Sequence, residues 1–437
     1  MLRFGAATAA YQIEGAVAED GRGESIWDRF THAAGGDTGD VACDHYHRWA
    51  DDLDLMASLG LESYRFSIAW PRVQPDGRGP LNARGVAWYR RLVEGLLERG
   101  IEPVATLYHW DLPQALQETG GWAERDTASR FAEYAAAMAA SLGDVVSGWI
   151  THNEPHVVAF AGHLQGRKAP GVRDWRVALR VAHHLLVSHG LAVDALRAGS
   201  GAPVGITLNV NPIRGADVDA VARFDAYQNR WFLDPVLRGA YPPELLASYE
   251  RAFGALELDG LRAVKVDFLG VNYYFPIVAR ASSVEPLRAE TVPASGESLT
   301  AMGWAVDASG LFDLLTGLRA DYGDIPIWIT ENGAAYDDET LVDGVVEDPS
   351  RVVYLDAHLQ ALSRAIAAGV DVRRYFVWSL LDNFEWEHGY ARRFGIVRVD
   401  YATQRRIVKR SALWYRDHVA KMAAARWDSR AVKGDGL

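Results

Sequence analysis

Short apolar runs alternate along the chain with longer stretches in which apolar residues recur at every third or fourth position. The short runs are rich in β-branched and aromatic residues, which is typical of strands that are buried on both faces of a sheet. The predicted strands begin near Arg3, Glu62, Glu102, Gly148, Pro203, Asp267, Pro326 and Arg374. The pattern therefore predicts eight strands, each followed by a helical segment.

The stretches between these strands predict amphipathic helices, because a spacing of three and four residues places apolar side chains on one helical face. This spacing occurs in the intervals 51–59, 88–97, 178–191 and 353–366. A glycine stands where each of three helices is expected to end before the next strand, at Gly60, Gly100 and Gly369. The chain is therefore expected to alternate strand and helix throughout.

Alternation of strands with helices predicts a parallel sheet, and eight such units are the number that closes a (β/α)8 barrel. A doubly wound open sheet is the alternative that the pattern alone leaves. Since no low-complexity linker divides the chain, one catalytic domain is expected over residues 1–437. The polar intervals 281–302 and 334–349 are predicted to be loops after the sixth and seventh strands, and the residues after about 427 are expected to fray.

Composition narrows the possible partners and location. The 437 residues are 49% hydrophobic, which suffices for a large buried core, and the net charge of -12 disfavours binding to nucleic acid. A single cysteine, Cys43, excludes an intrachain disulfide and fits a reducing compartment. The chain lacks an apolar stretch long enough to cross a membrane and a recognisable secretory signal at its start. A cytoplasmic protein without a membrane partner is expected.

Unusual polar and aromatic residues fall at the carboxyl ends of the predicted strands. In a (β/α)8 barrel these ends form one rim, and the active site lies there. The residues at the ends of the first, third, fourth, sixth, seventh and eighth strands include Gln12, His109, Asn153, Glu154, Asn272, Tyr274, Glu331, Trp378, Glu385 and Trp386. Residues far apart along the chain are therefore expected to face one pocket.

Two carboxylic residues in this set, Glu154 and Glu331, lie at the ends of the fourth and seventh strands, roughly opposite each other in an eight-stranded barrel. Hydrolysis of a glycoside requires one protonated carboxyl to release the leaving oxygen and one ionised carboxylate to attack or to activate water. Aromatic residues and amides suit sugars, which have apolar ring faces and hydroxyls that need polar partners. The site chemistry therefore indicates a glycosidase.

The motifs that contain these residues resemble the β-glucosidases of glycoside hydrolase family 1. The resemblance rests on segments that run in order from Phe4 to about His418: GAATAAYQIEGA at 5–16, YRFSIAWPR at 64–72, TLYHWDLPQAL at 106–116, NEP at 153–155, GVNYY at 270–274, ITENG at 329–333, WSLLDNFEW at 378–386 and RFGIVRVDY at 393–401. NEP alone also occurs in other sugar-cleaving barrels. The whole series is much more specific than any single motif.

The resemblance implies a retaining exo-β-glycosidase in which Glu154 is the acid/base and Glu331 is the nucleophile, supported by Arg65 and Tyr274. It implies a sugar-binding role for a further set of residues: Gln12, His109, Asn153, Asn272, Trp378, Glu385 and Trp386. The expected substrates are small β-glycosides or oligosaccharides with terminal β-D-glucosyl residues, and also β-galactosides and β-fucosides. A cofactor and a metal ion are not expected, and the oligomeric state stays open.

Single residues refine the expected substrate. Glu154 stands where the thioglucosidases of this family have Gln, so the resemblance implies O-glycosides. The 6-phospho-glycosidases carry a Ser and a nearby Lys in the loop of Glu385, whereas this loop contains no Lys and Glu385 would repel a phosphate. The chain departs from the family at His152 and His156, which flank the NEP motif. These two residues leave the preference for the leaving group open.

Two other functions remain at this stage. An endo-acting glycanase shares the NEP motif, although the WSLLDNFEW loop is expected to block the far end of an open cleft. A sugar-binding barrel without catalysis is disfavoured by the presence of both Glu154 and Glu331. The histidine clusters around His45 and His183 do not have the His-Glu-x-x-His spacing of a zinc site. They are therefore interpreted as structural residues.

Overall fold

A computed structural model describes residues 2–294, 298–338 and 340–434, with side chains described as far as residue 425. Its centre is a closed barrel of parallel strands. The barrel strands, in chain order, are Arg3–Ala7, Ser63–Ser67, Glu102–Tyr108, Gly148–Asn153, Val204–Asn209, Phe268–Asn272, Ile327–Asn332 and Val372–Trp378. All eight predicted strands are confirmed, and we refer to them by their order in the barrel.

The first and eighth strands pair with each other, and this pairing decides between the two predicted sheets. Gly5 lies opposite Phe376 of the eighth strand on one side and opposite Ser63 of the second strand on the other. Each remaining strand pairs in parallel with its neighbours along the chain. The sheet has no edge, so the barrel prediction is confirmed and the doubly wound open sheet is wrong.

Helices surround the barrel and begin after each strand, as the apolar spacing predicts. The α-helices are Ala10–Ile13, Ile26–Ala34, His45–Ser58, Trp70–Val73, Ala83–Glu98, Gln114–Gln117, Asp126–Leu142, Trp175–Gly199, Val218–Asp225, Trp231–Arg238, Pro243–Phe253, Ala308–Tyr322, Pro349–Ala367 and Arg410–Gly434. Short 3₁₀ helices span Gly121–Ala123 and Trp386–His388, and π-helices span Val157–Gly162 and Ala226–Arg230. None of the helices in the described part of the chain is long and apolar enough to cross a membrane.

The two polar intervals that were predicted to be loops contain short strands. In the first, Ala289–Val292 pairs with Ile277–Ala281, which in turn pairs with Ile213–Arg214. The second contains the antiparallel pair Leu341–Val342 and Val345–Val346. A further pair joins Val397–Asp400 to Arg405–Val408. These short strands lie outside the barrel, and two of the pairs add regular structure to the predicted loop insertions. Residues 295–297 and 339 of those intervals lie outside the described residues.

The last helix closes the chain back onto its beginning. The buried hydroxyl of Tyr415 donates a hydrogen bond of 2.9 Å to the carbonyl of Gly5 in the first strand. Strands and surrounding helices thus share one apolar core, which includes Phe4 and the barrel residues. This contact supports a single structural unit. The expected fraying after about residue 427 stays a prediction. The side chains of these residues lie outside the described ones.

Candidate active site

The carboxyl ends of the strands bring the predicted site residues together at one end of the barrel. Glu154 and Glu331 follow or end the fourth and seventh strands and are almost completely buried, with 7% and 3% of their surface exposed. Close contact between the strand ends restricts the backbone here. A Cβ on Gly333, two residues after Glu331, would lie 1.8 Å from the carbonyl oxygen of Trp378. Glycine at this position lets the seventh and eighth strand ends approach each other.

Both carboxylate oxygens of Glu331 have a strong hydrogen-bond donor. The Arg65 guanidinium donates to Oε1 at 2.7 Å, and the Tyr274 hydroxyl donates to Oε2 at 2.5 Å. Arg65 is fully buried and also donates to the carbonyl of Thr330 at 3.0 Å. These contacts hold its guanidinium in place in the barrel interior. These charge-assisted hydrogen bonds favour the ionised form of Glu331. The predicted pairing of Arg65 and Tyr274 with this carboxylate is present.

Glu154 has a different environment. Its carboxyl Oε1 accepts a hydrogen bond of 2.7 Å from the Asn272 amide, and its backbone has a φ of 49°, in the left-handed region that non-glycine residues seldom adopt. The Glu154 backbone N–H donates to the carbonyl of Thr207 at 2.9 Å, which holds this turn at the end of the fourth strand. No cation pairs directly with Glu154 in the described part of the chain. Glu154 is therefore protonated more readily than Glu331.

The two carboxyls interact electrostatically and differ in pKa. Burial, followed by repulsion from Glu331, raises the pKa of Glu154 to about 8. Burial also raises the pKa of Glu331, although Arg65, Tyr274 and Asn272 oppose this effect. The hydrogen bonds nevertheless make Glu331 the carboxyl that ionises first.

Asn153 connects the two sides of the site. Its side-chain oxygen accepts hydrogen bonds from Arg65 at 2.6 Å and from Asn272 at 3.1 Å. Its amide nitrogen donates to Nε2 of His109 at 3.0 Å. Burial and the nearby cations lower the pKa of His109 well below its ordinary value, so the ring is neutral and carries its proton on Nδ1. Asn153 thereby orients both the Arg65 guanidinium and the imidazole.

Several of the predicted sugar-binding residues have hydrogen-bonding atoms to spare. His109 Nδ1 and Gln12 Oε1 are buried and lack a hydrogen-bond partner among the described residues. Buried polar atoms are almost always paired, so an unpaired donor and acceptor in one pocket indicate a polar ligand. The imidazole also stacks with Trp378 and Trp386, with ring centroids 5.9 and 6.0 Å apart. An apolar ring face beside hydroxyl-binding atoms suits a pyranose.

Glu385 completes this part of the pocket. Gln12 Nε2 donates to Glu385 Oε2 at 3.4 Å, and more closely to Asn383 Oδ1 at 2.9 Å. Burial raises the pKa of Glu385 to about 8, and the Lys168 ammonium opposes this effect. The contact with Gln12 joins the loops after the first and eighth strands. Glu385 is therefore placed with Gln12, as the sequence predicted.

Lys168 is a residue of the site that sequence reasoning missed. It lies after the fourth strand, yet its ammonium is buried and pairs with Glu387, two residues after Glu385. The loop of Glu385 itself contains no lysine, and Lys168 comes from the loop after the fourth strand. Its burial depends on a contact between two rim loops that are distant in the sequence. No sequence motif therefore indicates that Lys168 belongs to the site.

His152 and His156 occupy different places. His152 is fully buried, stacks on Phe131 with ring centroids 4.4 Å apart, and bonds Ser188 through Nε2 at 2.8 Å. It packs behind the fourth strand. His156 lies among aromatic rings that include Phe160, at 4.9 Å between centroids. Burial lowers the pKa of His156 to about 3, so its ring is neutral. Of the two histidines that depart from the family, His156 is thus the one that follows Glu154 and does not pack behind the fourth strand.

Metal binding has no candidate site in the described ranges, which contain no group of three or more His, Cys, Asp or Glu residues arranged to hold an ion. His45 instead bonds Asp52 at 2.7 Å, and His183 bonds Tyr241 at 3.0 Å. The two histidine clusters thus have local hydrogen-bond partners. The pocket presents carboxyls, amides and aromatic rings to a ligand.

Known proteins similar to this chain share both its sequence and its fold. A family profile described as glycosyl hydrolase family 1 matches residues 2–423. Thermostable β-glucosidase B of Thermobispora bispora is 52% identical over 96% of this chain and 89% of its own length. A bifunctional β-D-glucosidase/β-D-fucosidase of Bifidobacterium breve is 46% identical over 96% of this chain and 98% of its own.

A solved structure agrees with these relatives. The family 1 β-glucosidase of Thermotoga maritima in complex with isofagomine lactam superposes with a TM-score of 0.91 at 44% identity, covering 95% of this chain and 97% of that one. The chain belongs to glycosyl hydrolase family 1.

Proposed function

We propose that this enzyme is a retaining exo-β-glycosidase of the β-glucosidase type, with Glu154 as acid/base and Glu331 as nucleophile. The observation that carries the proposal is the unequal environment of two buried carboxyls in one pocket. Glu331 accepts hydrogen bonds from Arg65 and Tyr274, whereas Glu154 has a pKa raised to about 8. One carboxylate and one carboxylic acid are the pair that glycoside cleavage with retention requires.

In the first step, the Glu331 carboxylate attacks the anomeric carbon while Glu154 gives its proton to the departing oxygen. The bond to the leaving group breaks, a bond to Glu331 forms, and the sugar becomes a covalent ester of the enzyme. Glu154 suits the role of acid because it retains its proton near neutral pH. Arg65 and Tyr274 keep the attacking oxygens oriented.

In the second step, water attacks the anomeric carbon and Glu154 removes its proton. Esterification has removed the negative charge of Glu331, and with it the repulsion that contributes to the raised pKa of Glu154. The pKa of Glu154 therefore falls, and the residue acts as a base at the same pH at which it acted as an acid. Release of the sugar restores both carboxyls, and two inversions give net retention.

The proposed substrate carries a terminal, non-reducing β-D-glucosyl residue. Gln12, His109 and Glu385 offer hydrogen-bonding atoms to its hydroxyls, and Trp378 and Trp386 offer ring faces. We also propose activity on β-fucosides and β-galactosides, in keeping with the bifunctional relative from Bifidobacterium breve. Initial rates on aryl β-glucoside, β-galactoside and β-fucoside would rank the three sugars.

The nucleophile is tested with Glu331→Ala. This variant should lose hydrolysis of an aryl β-glucoside by several orders of magnitude. Azide or formate should partly restore turnover and give a product of inverted configuration, because the small anion takes the place of the carboxylate. The matched control is Glu347→Ala, which removes a half-buried carboxyl that pairs with Arg410 outside the pocket and should leave the rate unchanged. Activity of Glu331→Ala near that of this control would refute the assignment.

The acid/base is tested by the leaving group. Glu154→Ala should slow the hydrolysis of glycosides with poor leaving groups far more than that of activated aryl glycosides, because only the former need a proton in the first step. Equal losses on both would contradict the role of acid. Product analysis on cellobiose and on a long glucan separates exo from endo cleavage. The cytoplasmic location is a prediction that cell fractionation would test.

A further inference from the structure

Lys168 is a buried cation that the proposed reaction does not use. It lies in the segment between the π-helix Val157–Gly162 and the helix Trp175–Gly199, and only 8% of its surface is exposed. Burial of a lysine is unfavourable unless its charge is compensated. The contacts of this side chain therefore identify what the buried charge does.

The ammonium of Lys168 has three neighbours on the rim. It forms an ion pair with Oε2 of Glu387. It also lies over two indole rings, 4.9 Å from the centroid of Trp110 and 5.8 Å from that of Trp386. Cation–π contacts at these distances are favourable, and more so when they are desolvated. Lys168 thus contacts both the aromatic wall of the pocket and the loop after the eighth strand.

That loop presents two of the predicted sugar-binding residues, Glu385 and Trp386. It is a tight turn in which the Glu385 N–H donates to the carbonyl of Gly389 at 2.6 Å. The φ of Trp386 is 49°, a left-handed conformation that costs a large side chain free energy and persists only where the surroundings maintain it. The ion pair of Lys168 with the next residue, Glu387, is one such restraint.

We propose that Lys168 is a positioning residue for sugar recognition, and that its ion pair with Glu387 ties the loop after the fourth strand to the turn that presents Glu385 and Trp386. The inference rests on the proposed function, because it concerns the same pocket. The ligand in question is the non-reducing sugar unit of a β-glycoside. Lys168 acts on it through Trp386 and Glu385.

The charged groups around Lys168 all belong to this region. Glu387 and Arg167 are in the ion-pair cluster, Glu385 and Glu154 are carboxyls of the pocket, and His109 is the neutral imidazole of its wall. Removal of the Lys168 ammonium leaves the partly exposed Glu387 with one cation, Arg167, which is itself exposed. The contact between the two rim loops is then lost on its buried side, so the turn is expected to shift.

The test compares Lys168→Met with Arg167→Met. Both substitutions remove a cation from the same carboxylate, but Arg167 is exposed and contacts neither indole. Lys168→Met should raise KM for an aryl β-glucoside, and the inhibition constant of glucose, by about tenfold, with kcat changed less than about threefold. Arg167→Met should change both by less than about twofold. Lys168→Arg should recover most of the lost affinity because it keeps the charge.

Thermal unfolding establishes that each variant is folded. If Lys168→Met does not fold, Glu387→Gln replaces it, since that side chain keeps its shape and loses the charge, and it should raise the glucose inhibition constant in the same direction. Wild-type values of KM and of glucose inhibition in a folded variant would overturn the proposal. Equal effects of Lys168→Met and Arg167→Met would also overturn it. A wild-type enzyme inactive on aryl β-glucosides would instead refute the proposed function.

Discussion

The hydrogen bond from Tyr274 to Glu331 makes a quantitative prediction about the acidic side of the pH profile. The hydroxyl donates at 2.5 Å to a carboxyl that is almost completely buried, so it favours the ionised form. A hydrogen bond to a charged group contributes about 1.5–3 kcal/mol, which corresponds to a roughly 10- to 160-fold change in the ionisation equilibrium. Tyr274→Phe removes this bond and leaves the Arg65 pair in place.

The sign of the effect follows from the hydrogen bond. Because the bond lowers the pKa of Glu331, its removal raises that pKa, and the carboxyl keeps its proton to a higher pH. A protonated Glu331 cannot attack, so the acidic limb of kcat/KM should move to higher pH. At a pH below that limb, the loss in kcat/KM should approach the factor derived above. On the plateau, where Glu331 is ionised in both proteins, the loss should be smaller.

The assay is the pH dependence of kcat/KM on an aryl β-glucoside. Tyr273→Phe is the matched control, because the neighbouring hydroxyl donates to the carbonyl of Asp307 at 2.6 Å. The control should lose some stability and keep the acidic limb of the wild type. The reasoning is refuted if the acidic limb of Tyr274→Phe coincides with that of Tyr273→Phe.

Two further predictions use raised pKa values. Since the pKa of Glu154 is raised to about 8, kcat/KM of the wild type should fall as pH rises through about 8, and a flat profile from pH 7 to 10 would contradict the assigned acid. Burial raises the pKa of Asp111 from 3.8 to about 8, so the folded state holds a proton that the unfolded state has lost. Stability should therefore fall as pH rises between these values, by up to about 1.4 kcal/mol per pH unit from this group. Asp111→Asn should reduce this loss of stability with rising pH, as measured by thermal unfolding. An identical pH dependence of stability in both proteins would rule out the contribution of Asp111.

The barrel could be predicted because its strands are buried on both faces over most of their length. Residues such as Val104, Ile150, Ile206 and Ile329 are fully buried, and their runs are distinct from the helical spacing around them. The hairpin of Leu341–Val342 and Val345–Val346 could not be predicted, since strands of two residues are too short to show an alternation. The strand Leu341–Val342, for example, is exposed on both residues and is defined by backbone pairing. Pairing of this kind leaves little trace in the pattern of polar and apolar positions.

The candidate site was predictable where a residue follows its own strand. Glu154, Asn272 and Glu331 are at strand ends, so the closure of the barrel alone brings them together. Lys168 could not be predicted as a site residue, because its partner Glu387 lies 219 residues away on another loop. The raised pKa of Glu331 could not be predicted either, because it depends on the extent of burial. Partners within a motif are readable from sequence, whereas contacts between loops and desolvation require the fold.

Asn153 shows why the two glutamates differ although both end a barrel strand. Its side-chain oxygen accepts from Arg65 and from Asn272, which also donate to Glu331 and Glu154 respectively. The guanidinium is thereby directed to Glu331, while an uncharged amide is left for Glu154. A cation on one side and an amide on the other separate the charge states of two equally buried carboxyls. The proposed division of roles between the two glutamates therefore follows from how one asparagine orients its two neighbours.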